Sequence, residues 1–317
     1  MKTWLTGLAL IATLGGATPT FAAGAVAAQQ EDRVEDIVVT ARRAGAPMWT
    51  VERGGSTVIL VGSIQGLPRD FQWRPEALEE ATGRADRILY PPYVRVSSGD
   101  FMRLLWRSRT ITRLPEETTS ADHLPAGLQA RLEAVMVGER NEDWRRRSFL
   151  LTSEDLLKRA GLRAGGRDAD AVIRRAARRG GVAGEAVGFV RGDEIIDNLI
   201  TQPPSAYEPC MAASIGAAEA GTGLFAERAD DWRSLRVAEV IANPLDVALG
   251  QCWPWGDPTV GPQLREQWLT ALSTALNAPG VTLAVAPLRL LAEPGGVLDG
   301  LEAEGLDVRG PDWKVEP

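Results

Sequence analysis

The chain has few of the side chains from which metal and thiol sites are usually built. Among its 317 residues there are only two cysteines and one histidine, which excludes the CxxC and HExxH patterns of common zinc sites. It also has no G-x-x-x-x-G-K-[ST] or strand-to-helix G-x-G-x-x-G fingerprint and no G-x-S-x-G elbow. The usual nucleotide-binding and serine-hydrolase patterns are therefore absent from the sequence.

An excess of positive charge is missing as well. The formal net charge is −7, with 44% hydrophobic and 24% charged residues. This composition is typical of a globular protein with a sizeable core. The mild acidity argues against nucleic acid, or an anionic membrane, as the main partner.

Long apolar runs are confined to the N-terminus. Lys2 precedes an apolar run from Trp4 to Leu14, and small residues follow it. The run is shorter than the roughly 20 residues that span a bilayer, so a cleavable secretory signal peptide over residues 1–28 is favoured over a membrane helix. We expect a flexible segment over residues 29–46, no transmembrane segment in the mature chain, and a periplasmic or secreted protein.

The two cysteines, Cys210 and Cys252, fit an exported protein. In an oxidising compartment a single pair of cysteines usually forms a disulfide bond. Two unpaired, buried thiols are the alternative. We predict the Cys210–Cys252 disulfide.

Strand patterns lie at the two ends of the chain and helical patterns lie between them. Met48 to Glu52 and Thr57 to Val61 flank Gly54 and Gly55 as in a β-hairpin, and a second buried strand covers Val281 to Val285. Residues from about 126 to 278 are mostly helical in pattern. The prediction is an α/β (α+β) domain over 47–317, with a mixed central sheet formed by N- and C-terminal strands and helices packed on it.

Two stretches carry a resemblance to a known family. They are APMWTVERGGSTVILVGSIQGLPRDFQWRPEALEEATGRADRIL near the start and TLAVAPLRLLAEPGGVLDGLEAEGLDV near the end. They resemble the two signatures of the TraB/GumN family, the bacterial relatives of the Tiki proteases. The resemblance implies a Tiki/EreA/ChaN-like fold and, in the family, a metal-dependent hydrolytic centre built from two Gly-x-x-His motifs and a glutamate.

All three of those positions differ in this chain. Gln65 stands at the first histidine, Arg289 at the second with Ala286 in place of its glycine, and Pro91 where the glutamate is expected. A glutamine carbonyl is a weak ligand, an arginine carries a fixed positive charge, and a proline offers no carboxylate. We therefore predict no catalytic residue, no metal and no other cofactor.

The positions that remain form a candidate ligand-binding site of Gly62, Gln65 and Arg289. An amide beside a guanidinium can receive a carboxylate or a phosphate. The bland alternative is that both side chains merely line the end of a strand. If the site is shared, the strands Thr57 to Val61 and Val281 to Val285 should be neighbours, with Gln65 and Arg289 at the same end.

The functional hypothesis is an exported, non-catalytic TraB/GumN-like protein with a binding or envelope-associated role. Its partner would be a peptide, a glycan or an envelope protein, and not nucleic acid. The first alternative is a metal-dependent hydrolase, protease- or esterase-like, that binds a divalent metal weakly through non-standard ligands. The second is an envelope assembly factor without a small-molecule site.

Overall fold

A computed structural model describes residues 45–163, 165, 168–252 and 254–314. The predicted signal peptide, and the predicted flexible segment up to residue 44, lie outside the described residues. The strands are β1 (Met48–Arg53), β2 (Ser56–Ser63), β3 (Arg87–Tyr90), β4 (Tyr93–Arg95), β5 (Ala183–Ala186), β6 (Phe189–Arg191), β7 (Gly280–Pro287) and β8 (Val308–Arg309).

The helices in the first half of the described chain are α1 (Pro75–Arg84), α2 (Ser98–Trp106), α3 (Ser108–Thr112), α4 (Ala126–Val135), α5 (Phe149–Arg159), α6 (Ala169–Gly180) and α7 (Gly192–Thr201). Those that follow are α8 (Glu208–Ala220), α9 (Gly223–Arg233), α10 (Val237–Ala242), α11 (Pro244–Gln251), α12 (Val260–Leu276), α13 (Leu288–Ala292) and α14 (Val297–Ala303). Short 3-10 turns cover Ser120–Asp122, Asp143–Arg146 and Pro204–Tyr207. Within the ranges described, no helix is long and apolar enough to cross a bilayer.

The central sheet is mixed and has the strand order β5-β3-β7-β2-β1-β8. The predicted hairpin is confirmed, since β1 and β2 pair antiparallel with Met48 opposite Val61. β2 and β7 pair in parallel with Thr57 opposite Val281, so the predicted neighbouring strands are also confirmed. Every residue of β2 is buried, because helices cover both faces of the sheet at its centre.

The sheet contains one strand from the helical middle of the chain. β5 pairs in parallel with β3 and extends the sheet beyond the strands supplied by the two ends. All of its residues are exposed and its sequence, AGEA, has no strand pattern. β5 forms because of tertiary contacts and not because of its local sequence. It follows α6, and the packing of α6 on α1 returns the chain to the edge of the sheet.

The middle of the chain, residues 126–278, is mostly helical as expected, and the short strands β5 and β6 are the exceptions. Asp168 caps α6, its side chain accepting a hydrogen bond from the Ala171 N–H, and Gly181 ends that helix in the left-handed conformation. A disulfide joins Cys210 of α8 to Cys252 at the end of α11, with 4.6 Å between their Cα atoms, which confirms the predicted pairing.

Candidate functional site

Three parallel strands of the sheet end at the same edge and supply one cavity. β2 continues into Ile64 and Gln65, β3 into Pro91 and Pro92, and β7 into Leu288 and Arg289. The cavity has a volume of about 250 Å³. Its walls are formed by Ser63, Ile64, Gln65, Pro91, Pro92, Asp168, Asp170, Arg174, Arg228, Asp246, Leu249, Trp255, Pro287, Leu288 and Arg289. Gln65, Pro91 and Arg289, the three substituted positions, thus meet around one space.

Gly62, the remaining predicted ligand-binding residue, does not line the cavity. Its backbone N–H donates to the Pro47 carbonyl at 2.9 Å, and its own carbonyl accepts from the Trp232 indole at 2.8 Å. A Cβ at this position would lie 2.4 Å from Cδ1 of Leu288. A close approach between β2 and α13 therefore accounts for the glycine, and Gly62 contributes to packing behind the cavity.

Two arginines hold one aspartate in the wall of the cavity. Arg228 donates through Nε and Nη2 to Oδ1 of Asp246, at 2.8 and 2.6 Å. Arg289 donates through Nε to Oδ2 of the same carboxylate at 3.0 Å, and through Nη2 to the Ile241 carbonyl at 2.8 Å. Both oxygens of Asp246 are consequently occupied by guanidinium donors.

This cluster of Arg228, Asp246 and Arg289 is largely shielded from water. The exposed fractions of the three side chains are 4%, 5% and 17%. Arg289 also lies 3.8 Å from a carboxylate oxygen of Glu293, which is held by Arg265 at 2.6 Å. Buried charges are stable only when paired and hydrogen-bonded, and here the pairing is with other protein groups.

Gln65 takes part in the cluster through its backbone only. Its carbonyl accepts a hydrogen bond from Nη1 of Arg228 at 2.9 Å. Its side chain is exposed at the mouth of the cavity. Among the residues that the structure describes, none hydrogen-bonds the Gln65 carboxamide, so this amide is available to a ligand as both donor and acceptor.

The opposite wall carries carboxylates from the start of α6. Burial raises the pKa of Asp168 above its ordinary value, and this effect outweighs the hydrogen bond from Ala171 N–H, which lowers it. Asp170 accepts from Nε of Arg174 at 2.9 Å through Oδ2. Its Oδ1 is buried and has no hydrogen-bond partner in the described part of the chain.

The donor set does not fit a hydrolytic metal centre. Gln65 offers a neutral amide, Pro91 has no donor side chain, and Arg289 brings a cation. Asp246 is the carboxylate nearest Arg289, and both its oxygens accept from arginines. In the residues described, no group of three or more histidine, cysteine, aspartate or glutamate side chains could hold a metal ion.

The residues that hold Arg289 in place, Arg228, Asp246 and Gly250, are among the members of the site that sequence reasoning missed. A Cβ on Gly250 would lie 2.7 Å from Cδ of Arg289, so the glycine leaves room for that side chain. One signal was present for Arg228: it follows Leu224 and precedes Trp232 at helical spacing, on a face that is otherwise buried. An arginine on an apolar stripe indicates a buried ion pair.

One family model matches the part of the chain that forms the whole central sheet. The model, that of the TraB/PrgY/gumN family, matches residues 47–310. This span runs from just before β1 to just after β8 and includes all cavity-lining strands. No curated protein and no solved structure matches the chain.

Proposed function

Because the chain belongs to the TraB/PrgY/gumN family, we propose that it is an exported member of that family that no longer catalyses metal-dependent hydrolysis and instead binds a ligand in its cavity. One observation carries the proposal. The cavity has Gln65, Pro91 and Arg289 at the positions where the resemblance implies two histidines and a glutamate.

Electrostatics supports a metal-free cavity. A divalent cation near the expected ligand positions would face the fixed positive charge of Arg289, which cannot deprotonate. Asp246 does not offset this charge, because it already serves both Arg228 and Arg289. Displacing either arginine to free the carboxylate would leave a buried charge without its partner, at a cost of several kcal/mol.

The pairing of Arg228 and Arg289 with Asp246 also limits which kinds of ligand the cavity can bind. Arg228 uses its guanidinium within the protein, and Arg289 uses Nε and Nη2 in the same way. A strongly anionic ligand would compete with Asp246 for these donors. The free Gln65 carboxamide and the apolar surfaces of Leu249 and Trp255 favour an uncharged, hydrogen-bonding group, such as a peptide segment.

Export is part of the proposal and has two supports. The first 28 residues have the pattern of a signal peptide. The Cys210–Cys252 disulfide suits an oxidising compartment. N-terminal sequencing of the protein from an envelope fraction tests this part: a mature chain that begins near residue 29 supports export, and an intact Met1 in the cytoplasm contradicts it.

A metal-dependent hydrolase with other ligands is the competing function. It is favoured by the two carboxylates on the cavity wall, Asp168 and Asp170, of which the second has an oxygen without a hydrogen-bond partner among the described residues. These two are one ligand short of the three protein ligands that a catalytic site usually has. Metal content and chelator-sensitive activity separate this function from the binding function.

The decisive experiment combines elemental analysis with a peptidase assay. The protein is purified without chelator and assayed with added manganese, cobalt or zinc. We expect less than stoichiometric metal and no activity that a chelator abolishes. Near-stoichiometric metal, or chelator-sensitive hydrolysis, would overturn the non-catalytic function.

Variants at the substituted positions sharpen that experiment. Gln65→His alone should bind no metal, because Arg289 stays in place. Gln65→His with Arg289→His should bind metal at most weakly, since Pro91 supplies no carboxylate. His123 is the matched control: it hydrogen-bonds Thr118 at 2.9 Å and does not line this cavity, so His123→Gln should leave any metal uptake of the double variant unchanged.

A further inference from the structure

Helix α2 presents apolar side chains to solvent along its whole length. None of its nine residues is buried. Phe101, Met102 and Leu105 are each about 60% exposed, and Trp106 is 91% exposed. The exposed apolar surface continues onto the adjacent strands; we call the whole set the α2 face, and it consists of Tyr93, Val94, Val96, Phe101, Met102, Leu104, Leu105, Trp106 and Phe189.

The α2 face is a built surface and not a frayed segment. Ser97 and Asp100 form a capping box that fixes the start of α2. β4 and β6 pair in parallel, with Tyr93 opposite Phe189 and their rings 6.2 Å apart. The helix also packs on α7. A contiguous apolar surface of this kind on a folded chain marks an interaction site.

The segment that carries this face is basic although the protein is acidic. From Tyr93 to Arg113 there are five arginines and one acidic residue, whereas the whole chain has a net charge of −7. Arg103 pairs with Asp197, and Arg109 with Glu116. In the part of the chain that the structure describes, Arg95, Arg107 and Arg113 have no carboxylate within ion-pair distance.

The neighbouring carboxylates do not cancel these unpaired charges. Asp193 and Glu194, on the adjoining helix α7, both pair with Arg191. Asp197 on the same helix pairs with Arg103, and Asp100 is engaged in capping α2. What this segment offers to a partner is therefore an exposed tryptophan and phenylalanine together with arginines that have no carboxylate partner among the described residues.

We propose that the α2 face binds the surface of an anionic phospholipid bilayer. Aromatic and aliphatic residues would enter the boundary between headgroups and acyl chains, and Arg95, Arg107 and Arg113 would contact the phosphates. Tryptophan is enriched at that boundary, where Trp106 would lie. This inference does not depend on what the cavity binds.

A lipid surface fits the charges better than a second copy of the chain does. In a two-fold symmetric contact the same patch faces itself. Two copies of this basic segment would then face each other, and among its described residues the one carboxylate, Asp100, is already engaged in capping α2. The net negative charge of the chain argues against binding to an anionic membrane. That charge is summed over all residues, however, and the segment that carries the α2 face is basic.

The test is co-flotation of the full chain with vesicles. One set contains phosphatidylglycerol in phosphatidylcholine and the other contains phosphatidylcholine alone. We expect binding to the anionic set that weakens as salt is raised, and much less to the neutral set. Because all variants share the same N-terminal residues, any affinity of residues 1–44 for lipid cancels in comparisons among them.

Two pairs of variants separate the apolar and the charged contributions. Phe101→Ser with Trp106→Ser should reduce the partition coefficient about tenfold or more. Arg107→Gln with Arg113→Gln should reduce it roughly tenfold on anionic vesicles only. The matched controls are Val137→Ser, at a side chain 80% exposed elsewhere, and Arg175→Gln, an exposed arginine on α6; neither should change binding.

A second measurement locates the contact. Quenching of tryptophan fluorescence by bromine-labelled lipid should fall in Trp106→Phe while flotation persists. Absence of flotation at low salt would overturn the proposal, as would equal flotation of the variants and the wild type. A concentration-dependent dimer that Phe101→Ser with Trp106→Ser dissociates would also overturn it, because it would assign the face to a second copy. Unchanged near-ultraviolet circular dichroism confirms that the variants are folded.

Discussion

Arginines line the cavity and also lie in the segment that carries the α2 face, but their surroundings differ. At the cavity, Arg228 and Arg289 are buried and share the carboxylate of Asp246. In the segment that carries the α2 face, Arg107 and Arg113 are exposed and have no ion-pair partner within the described chain. A buried arginine needs its partner inside the protein, so loss of that partner should lower the free energy of unfolding. An exposed and unpaired one beside apolar side chains is free for an external partner.

Substitution of Asp246 should have the largest effect on the free energy of unfolding. Asp246→Ala would leave two guanidinium groups without their shared carboxylate, and we expect a loss of about 3–5 kcal/mol in the free energy of unfolding. Urea denaturation measures it. The matched control is Asp197→Ala, which removes the exposed partner of Arg103 beside the α2 face and should cost less than about 1 kcal/mol. Equal losses would erase the distinction between the two regions.

The disulfide should have the next largest effect. It closes a loop of 42 residues between α8 and the end of α11, the helix that carries Asp246. On the chain-entropy account, Cys210→Ser with Cys252→Ser should lower the free energy of unfolding by about 4 kcal/mol. Reductant should destabilise the wild type and leave the double variant unaffected. Vesicle binding by the α2 face should survive wherever the variant is folded; its loss would show that the two regions are coupled.

A smaller effect is expected at Gly250. In Gly250→Ala the new Cβ would press on Arg289, which cannot move aside freely because Asp246 and Ile241 hold its guanidinium. We expect a loss of about 1–3 kcal/mol. Gly99→Ala in α2, where a Cβ would meet only Ser97 Oγ at 3.5 Å, should instead stabilise by up to about 1 kcal/mol.

A double-mutant cycle completes the test at Gly250. If the Arg289 side chain is the obstacle, Gly250→Ala should cost less in an Arg289→Ala background than in the wild type. Additive losses would instead place the strain in the backbone of α11.

The smallest effects concern pH and have opposite signs in the two regions. Burial raises the pKa of Asp168 at the cavity, so its contribution to stability is present below its ordinary pKa of 3.8 and is lost as pH rises through the folded-state value. The Arg191 guanidinium lowers the pKa of Asp193, near the α2 face, so that contribution is present above 3.8 and is lost as pH falls.

Asparagine variants measure these two contributions. Asn keeps the side-chain oxygen that caps α6, so Asp168→Asn changes mainly the charge. As pH falls from 7 to 3, the wild type should gain stability relative to Asp168→Asn and lose it relative to Asp193→Asn. Denaturation at several pH values gives both differences. The same slope for both variants would contradict the assignment of burial as the dominant cause at Asp168.

The sheet and the edge that bears the cavity could largely be predicted from local sequence. β1, β2 and β7 are runs of apolar and β-branched residues bounded by glycine or proline, and such runs predict strands. Parallel β2 and β7 then place Gln65 and Arg289 at one end. Gly62 was predicted at the same site, but a packing contact with Leu288 explains it, and nothing local distinguishes these two uses of glycine.

By itself, the sequence determined the strands β1, β2 and β7, most of the helices and the side chains at the ends of those strands, because hydrophobic periodicity, caps and turn residues act over a few neighbouring positions. Tertiary structure alone decided that Asp246 pairs with both Arg228 and Arg289, since this pairing depends on how α9 and α11 pack against the sheet. Tertiary structure also determined that the apolar side chains of α2 are exposed to solvent. The apolar residues of SGDFMRLLW suit a buried helix equally well, and the packing of the chain left them in water.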